Sequence, residues 1–252
     1  MMAEPPLPDE TSALFFDLDG TLIDIAEHPQ AVTVPTLLAP ALAALVEALD
    51  GAVAILSGRP VDELDALLQP PMRCVAGVHG AQWRGTRGLR EGRGQPGLAE
   101  VTRAATALAL AHPALHLEHK PGAVALHYRR APELASVCIE TVCAAVARAP
   151  DMEVQLGKMV VEAKPRGASK GEALLAFLAE PPFDGRRPWH FGDDRTDEAA
   201  FEVVRARGGV AVKVGEGASA ADHRLADPAA VRVWLGRAVA HLNARRAVGV
   251  PR

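Results

Sequence analysis

The sequence predicts an α/β protein in which a doubly wound, Rossmann-like parallel sheet is interrupted by a smaller α+β insert. Three observations predict this fold. Short apolar runs alternate with helical patterns at both ends of the chain, as in parallel sheets covered by helices. The middle of the chain instead reads helix, hairpin, helix, hairpin, and polar residues directly follow the apolar runs. We expect the core in residues 1–82 and 166–252 and the insert in residues 83–165.

The first part of the core is predicted from three apolar strands and the helices between them. The run at 52–56 has no polar residue, as expected of a strand that a parallel sheet buries on both faces. Pro35 opens a helical pattern with leucines along one face, and Gly51 ends it. The expected elements are strands over 13–16, 52–56 and 74–78, a helix from Pro35 to Leu49, and a helix over 60–68.

The insert alternates helices with hairpins. Its first residues, 84–97, alternate arginines with glycines, which predicts a mobile, solvated loop. Pro121-Gly122 and Gly157-Lys158 then predict the turns of two hairpins. The expected elements are a helix over 98–111, strands over 116–120 and 123–129, a helix from Pro132, and strands over 152–156 and 159–163.

The core pattern resumes after the insert, so that one sheet is interrupted rather than followed by a second domain. The expected elements are a helix over 169–179, a strand over 188–191, a helix over 196–207, a strand over 209–214 and a closing helix from Val231.

Composition excludes several classes of function. The chain has 252 residues, of which 49% are hydrophobic, and this is enough for a large core. A formal net charge of −4 provides no basic surface for nucleic acid or an anionic membrane. No apolar run reaches membrane-spanning length, because Glu47 and Asp50 interrupt the best candidate. The acidic, proline-rich N-terminus is unlike a secretory signal, so we expect a soluble cytoplasmic protein without nucleic-acid or membrane partners.

The cysteines predict neither a metal site nor a disulfide framework. Cys74, Cys138 and Cys143 lack metal-ligand spacing, and any disulfide would leave one thiol unpaired. Because Cys138 and Cys143 fall within a helical pattern, we expect small buried thiols at both positions.

Two carboxylates one residue apart follow the first apolar strand. In an extended chain the side chains of Asp17 and Asp19 point to the same face, and Gly20 then allows the backbone to turn. Two like charges so close resist joint ionisation unless a cation lies between them or one carries a proton. A core strand has no reason to end in this way, so the pair indicates chemistry.

Polar residues follow two further predicted elements. Ser57 and Gly58 come directly after the strand at 52–56, where a hydroxyl and backbone N–H groups suit a phosphate oxygen. Lys170 starts a predicted helix, where its charge opposes the helix dipole and requires an anion. Each signal is weak alone, since Ser-Gly is a common turn and an N-terminal lysine is usually a surface residue.

The acidic segment 192–198 follows the strand at 188–191. Helix capping explains some of its carboxylates, but not both Asp193 and Asp194 beside a buried strand. A hard cation such as Mg²⁺, which prefers a few carboxylates together with substrate phosphate, explains both. The four segments meet at the carboxyl edge of the predicted sheet, where open α/β sheets bind ligands.

These motifs in this order resemble the haloacid dehalogenase superfamily of aspartate-nucleophile phosphatases. The resemblance covers the whole core and implies that Asp17 is the nucleophile that forms an aspartyl-phosphate, with Asp19 as general acid and base. Ser57, Gly58 and Lys170 would bind the phosphoryl group.

The same resemblance implies a Mg²⁺ site. Asp17, the backbone carbonyl of Asp19, and Asp193 would be its ligands. Asp194 would support the ion, and Asp197 would lie near Lys170.

The insert is similar to the cap of the trehalose-6-phosphate phosphatases. The similarity rests on the segments 117–120, 125–129 and 160–167 together with His79-Gly80. It implies a sugar-phosphate substrate, trehalose 6-phosphate, and sugar-binding side chains within the cap. These are Glu118, Lys120 and Glu162, with Arg129 and Lys158 as weaker candidates.

Strand alternation agrees with a polar, chemically active face in the insert. In the segment 116–120, Glu118 and Lys120 lie opposite Leu117, although a solvated face would give the same pattern. His119 shares the parity of the apolar side, and we interpret it as structural. We interpret His127 as a packing residue, like Tyr128.

Two other functions are compatible with the motifs. One is a phosphatase of the same superfamily for another sugar phosphate, such as sucrose 6-phosphate or a mannosyl phosphate. The other is a phospho-aspartate signalling module, since receiver domains also combine acids, a threonine and a lysine on a parallel sheet. Chain length, the late acidic cluster and the insert argue against the second.

Overall fold

The computed structural model describes residues 3–26, 31–91 and 95–247. Its strands form two sheets, and the helices pack on both. The strands are β1 Ser12–Phe16, β2 Val53–Leu56, β3 Val75–Gly77, β4 Gln82–Gly85, β5 Gly88–Glu91, β6 His116–Lys120, β7 Ala123–His127, β8 Met152–Gly157, β9 Val160–Pro165, β10 Arg187–Gly192, β11 Val210–Val214 and β12 His223–Leu225. The helices are α1 Leu38–Ala48, α2 Val61–Leu67, α3 Leu98–Ala111, α4 Ala135–Val146, α5 Lys170–Leu178, α6 Glu198–Ala206 and α7 Pro228–Ala247.

The larger sheet has eight strands in the order β12-β11-β10-β1-β2-β3-β4-β5. The strands from β12 to β3 are parallel, and β1 lies at the centre, with Phe16 opposite Phe191 of β10 and Ile55 of β2. The chain runs outward from β1 through β2 and β3, and after the insert it returns to the other side as β10. The strand order therefore reverses between β1 and β10, which is where doubly wound sheets bind ligands.

Apolar side chains explain why these strands occupy the centre. All five residues of β1 are buried, and the rings of Phe16 and Phe191 stack with centroids 4.8 Å apart. On α1, Leu38, Leu42 and Leu45 recur at helical spacing and are buried against the sheet. The predicted doubly wound parallel sheet is confirmed.

The smaller sheet is antiparallel, with the order β6-β7-β9-β8. The helices α3 and α4 cover one face, where Val101, Val124 and Val142 belong to a hydrophobic cluster separate from that of the large sheet. The order helix, hairpin, helix, hairpin agrees with the prediction. Its other face meets the carboxyl ends of the core strands, where Lys120 of β6 donates to the Gly58 carbonyl after β2.

The predicted mobile loop at 84–97 is wrong in its first part. Residues 82–91 form the hairpin β4–β5, which pairs antiparallel with β3 and extends the large sheet. Trp83 is buried against Phe177 at 5.2 Å, and Arg84 holds Asp65 through two hydrogen bonds of 2.6 Å. The hairpin thus belongs to the core layer, and the insert begins with α3 rather than at residue 83. Residues 92–94 lie outside the described residues.

Smaller differences concern single residues and turns. Cys138 is buried as expected, but Cys143 is exposed, because it lies on the outer side of α4. The predicted helix at 196–207 begins with a 3₁₀ turn at Arg195–Asp197, and the short strand β12 was not predicted.

Within the described residues, no helix combines the length and apolar character needed to cross a membrane.

We predict that Trp83→Ala lowers the free energy of unfolding by about 3–5 kcal/mol, because it removes a large ring from the core. Chemical denaturation monitored by circular dichroism measures this change. Leu89→Ala, on the other strand of the hairpin and 51% exposed, serves as control and should change stability by about 0.5 kcal/mol at most. Equal small effects of both substitutions would contradict a hairpin packed into the core.

Candidate active site

Two aspartates lie at the carboxyl ends of the central strands, on either side of the point where the strand order reverses. Asp17 follows β1, Asp193 follows β10, and the backbone N–H of Asp17 donates to the Phe191 carbonyl at 2.9 Å. Gly20 permits the approach, because its φ is +84° and a side chain there would overlap the Asp193 carboxylate. Sheet topology alone therefore brings the two acids together.

A buried lysine connects the acids of this edge. Lys170 is the first residue of α5, and Ser169 caps that helix by accepting the N–H of Glu172 at 3.1 Å. The Lys170 ammonium donates to Asp17 Oδ1 at 2.6 Å and to Asp197 Oδ1 at 2.8 Å. All three charged side chains are buried, so the low local dielectric strengthens both ion pairs.

Burial and the neighbouring charges together shift the pKa values of these acids. Burial raises the pKa of Asp17 well above its usual value, and the Lys170 ammonium only partly offsets this effect. Burial also raises the pKa of Asp193. For Asp197 burial acts in the same direction, but Lys170 outweighs it and lowers the pKa. Despite its burial, the Asp17 and Asp197 carboxylates raise the pKa of Lys170, which therefore stays protonated.

Three donors surround the Asp197 carboxylate. Besides Lys170, the His190 ring places Nε2 at 2.8 Å from Oδ1, and the backbone N–H of Asp194 donates to Oδ2 at 3.1 Å. Asp194 in turn accepts the N–H of Arg195 at 2.6 Å and caps the 3₁₀ turn. Asp197 thus serves mainly to hold Lys170, and Asp194 to hold the turn that carries Asp197.

An arginine to which the sequence analysis gave no role holds the second aspartate. Arg59 Nε and Nη2 donate to the two carboxylate oxygens of Asp19 at 2.6 and 2.7 Å, which is a bidentate ion pair. The backbone N–H of Arg59 donates to Ser57 Oγ at 3.1 Å. One short segment therefore positions both the expected phosphate ligand and Asp19.

The insert contacts the core edge through Lys120. Its ammonium donates to the Gly58 carbonyl at 3.0 Å and to Glu162 Oε2 at 2.8 Å, and His79 Nε2 lies 3.5 Å from the same carboxylate oxygen. Burial opposes the charged form of Glu162, but Lys120 and the adjacent His79 ring lower its pKa to about 2. This carboxylate stays ionised inside a buried site.

The remaining candidates of the insert differ in their surroundings. Glu118 Oε2 lies 2.7 Å from His127 Nε2, so this pair fixes a second carboxylate in the insert. Lys158, predicted to bind sugar, instead donates to Asp193 Oδ2 at 2.6 Å, because the β8–β9 turn lies over the end of β10. Arg129 is exposed and donates to the Lys158 carbonyl at 3.3 Å.

Comparison with known proteins shows the family to which this chain belongs. A model of the trehalose-phosphatase family matches residues 15–229. The chain is 42% identical to the trehalose-6-phosphate phosphatase of Escherichia coli K12 over 247 residues, or 97% of this chain and 93% of that protein. The chain belongs to the trehalose-phosphatase family. A probable trehalose-phosphate phosphatase of Sinorhizobium fredii is 43% identical over 81% of this chain and 77% of that protein.

Solved structures agree with the family in fold. A trehalose-6-phosphate phosphatase related protein superposes with a TM-score of 0.74 at 26% identity, covering 92% of this chain and 99% of that one. The C-terminal domain of Candida albicans trehalose-6-phosphate phosphatase has a TM-score of 0.81 at 23% identity, with 91% and 92% covered. A sugar phosphatase of the HAD superfamily has the same fold at 16% identity, with a TM-score of 0.59 and 92% and 99% of the two chains covered.

One cavity between the two sheets of this family member brings the predicted residues together. Apart from Asp197, which lies behind Lys170, every predicted site residue lines it. They are Asp17, Asp19, Ser57, Gly58, Glu118, Lys120, Arg129, Lys158, Glu162, Lys170, Asp193 and Asp194.

Several cavity residues escaped the sequence analysis. Arg59, His79, His127 and Gln155 line the same cavity. The signal for His127 was strand parity, since it alternates in phase with Arg129, and interpreting it as a packing residue was wrong. His119 is exposed rather than structural, because the face it shares with Leu117 is only partly covered at the edge of the sheet.

The donor set fits a hard cation. One oxygen each of Asp17, Asp193 and Asp197 lie within 4.8 Å of one another, and a few carboxylate oxygens so close together suit Mg²⁺. Because donors already surround Asp197, the fit favours Asp17 and Asp193 as ligands. This agrees with the expected assignment, in which the Asp19 carbonyl remains a prediction.

We predict that Glu162→Gln removes a pH-dependent part of the stability. The pKa of Glu162 is lowered from 4.5 to about 2, so its charge stabilises the fold above pH 4.5 and this contribution is lost as pH falls through 2. The full contribution is about 3 kcal/mol. Urea unfolding of wild type and variant between pH 3 and pH 7 measures the part that is lost above pH 3, about 2 kcal/mol. A stability difference that stays constant or grows toward low pH would contradict the lowered pKa.

Proposed function

We propose that this protein hydrolyses trehalose 6-phosphate to trehalose and inorganic phosphate through an aspartyl-phosphate on Asp17. The observation that carries the proposal is the buried contact of Lys170 with Asp17 at 2.6 Å, in a cavity that the carboxylates of the insert also line. The family supports the substrate, since relatives that this chain matches over most of their length are named trehalose-6-phosphate phosphatases.

In the first step the Asp17 carboxylate attacks phosphorus and the bond from phosphorus to the sugar oxygen breaks. The leaving oxygen takes a proton from Asp19, and Asp17 carries the phosphoryl group as an acyl phosphate. Lys170 and Ser57 stabilise the phosphoryl oxygens, where charge concentrates in the transition state. Arg59 holds Asp19 as a carboxylate at the cavity through a bidentate contact, so one of these two contacts opens when an Asp19 oxygen carries the proton.

In the second step water attacks phosphorus while Asp19 takes its proton. The bond from phosphorus to the Asp17 oxygen breaks, inorganic phosphate leaves, and the Asp17 carboxylate is regenerated. Asp19 has then given one proton and taken one, so the cycle closes. Lys170 stays bound to Asp197 throughout and keeps its position against Asp17.

Asp17, Asp193 and the Asp19 carbonyl would hold Mg²⁺, which supplies Lewis-acid stabilisation of the phosphoryl oxygens. The closeness of the Asp17 and Asp193 carboxylate oxygens supports this assignment. Asp194 acts indirectly, through the turn that positions Asp197.

We further propose that the insert, residues 98–165, is a cap that selects the sugar. Glu118, Lys120 and Glu162 are held in defined positions and offer charge-assisted hydrogen bonds to hydroxyl groups. Arg129 and Lys158 lie nearer the phosphate side, as the contact between Lys158 and Asp193 indicates. Closure of the cap over the disaccharide would exclude bulk water. The cytoplasmic location stays a prediction.

We predict that phosphate release requires both Asp17 and Mg²⁺. On a panel of trehalose 6-phosphate, sucrose 6-phosphate, mannose 6-phosphate and glucose 6-phosphate, the wild type should release phosphate fastest from the first. Asp17→Asn should lower kcat at least roughly 1,000-fold, since it removes the nucleophile. Asp62→Asn, exposed on α2, is the control and should keep wild-type activity.

The outcomes of this panel separate the alternatives. Preference for another sugar phosphate would replace the substrate and keep the reaction. Phosphate bound to Asp17 without turnover would indicate a signalling module, and undiminished activity in Asp17→Asn would refute the nucleophile.

We predict that Glu118→Gln raises KM for trehalose 6-phosphate by about 10-fold, the equivalent of one charge-assisted hydrogen bond. KM for para-nitrophenyl phosphate, which has no sugar, should not change. Glu133→Gln, exposed on the same insert, is the matched control. Steady-state kinetics measure the change of KM for each substrate. An equal rise of KM for both would show that Glu118 does not recognise sugar.

A further inference from the structure

A buried histidine lies behind the proposed catalytic residues. His190 is fully buried in the middle of β10, opposite Phe15 of β1, and its ring packs against Phe201 with centroids 5.3 Å apart. Neighbouring strand positions carry apolar residues. Burying an imidazole costs free energy unless it forms a hydrogen bond, and His190 forms one to Asp197 at 2.8 Å.

The direction of that hydrogen bond follows from the two partners. The pKa of Asp197 is lowered despite its burial, so the group is a carboxylate and can only accept. Burial also lowers the pKa of His190, so the ring is neutral and carries one N–H. That N–H must be on Nε2, the nitrogen that faces Asp197.

We propose that His190 is a positioning residue, whose Nε2–H fixes the Asp197 carboxylate so that Lys170 is held against Asp17. The proposal rests on the proposed function, since Lys170 and Asp17 are its catalytic residues. The Oδ1 atom of Asp197 accepts from both His190 and Lys170, while the backbone N–H of Asp194 holds Oδ2. Three donors thus fix both the place and the rotation of this carboxylate.

Removal of the histidine donor would leave Asp197 with two of its three contacts. Its oxygen lies within 4.8 Å of oxygens of Asp17 and Asp193, the acids that fit a cation. Without the N–H of His190, repulsion from these like charges acts on a carboxylate that only Lys170 and the Asp194 N–H still hold, and Lys170 then loses its fixed position. His190 does not line the cavity, so substrate binding should be insensitive to it.

The test compares His190→Phe with His190→Gln. Phenylalanine keeps a ring but has no donor, whereas glutamine places an N–H at a similar distance. We expect His190→Phe to lower kcat about 10-fold, with KM unchanged, in the manner of substitutions in the shell around a catalytic site. His190→Gln should restore most of that loss. Phe201→Leu disturbs the packing of the same ring without removing the donor, and it should keep kcat.

Wild-type kcat in His190→Phe, or equal losses of kcat in His190→Phe and Phe201→Leu, would overturn the proposal. If His190→Phe does not fold, nitrogen NMR of the wild-type imidazole decides, because a proton on Nδ1 instead of Nε2 would also overturn it. The kinetics are run on trehalose 6-phosphate and on para-nitrophenyl phosphate. A wild type active only on the second refutes the proposed substrate, while the comparison of His190 variants remains valid.

Discussion

The buried ammonium of Lys170 between Asp17 and Asp197 is the interaction on which the rest of the site depends. Lys170 lies 153 residues after Asp17, with the whole insert between them, so only the parallel pairing of β1 with β10 and the packing of α5 bring the two together. A buried charge of either sign is unfavourable alone. The lysine therefore makes it possible to bury two acids at a strand edge, and their remaining negative charge makes the edge suitable for a cation.

The connection between the insert and the core explains why the polar face of the insert meets the carboxyl edge of the large sheet. Strand β9 leads into α5 through residues 166–169, and this connection is held by a buried lysine of the insert. Lys164 donates to Glu153 at 2.8 Å and to the carbonyl of Ala168, two residues before Lys170. The strand that carries Glu162 and the helix that carries Lys170 are thus joined by a fixed segment. In the proposed function, this strand would bind the sugar and this helix the phosphate, so their connection would set the distance between the two ends of one substrate.

The residues singled out at strand ends do lie together in the cavity, because a charged residue directly after a buried apolar run is costly to fold unless a ligand or an ion pair compensates it. Sequence analysis failed where a residue obeys the local pattern yet acts through a distant partner. The arginines and glycines of 84–91 resembled a loop, although Arg84 pairs with Asp65 and Trp83 fills the core. His190 gave no signal, since a ring in a central strand matches a core position. Lys158 was predicted to bind sugar from the resemblance to a family. Its contact with Asp193 depends on how the β8–β9 turn lies over the large sheet, which the local sequence does not indicate.

The contacts between the insert and the core also affect how the site distinguishes one ligand from another. Lys120 donates to Gly58 and Lys158 to Asp193, so protein groups satisfy the charges that a substrate would otherwise engage. A sugar phosphate must therefore replace existing ion pairs, and its affinity is the difference between the contacts that it makes and those that it breaks. A ligand with phosphate alone, or sugar alone, replaces only some of them and leaves buried charges without partners. Replacing these existing contacts lowers the affinity of every ligand, and it does so most for a ligand that carries only the phosphate or only the sugar. The site therefore favours a ligand that reaches from Lys170 to Glu162.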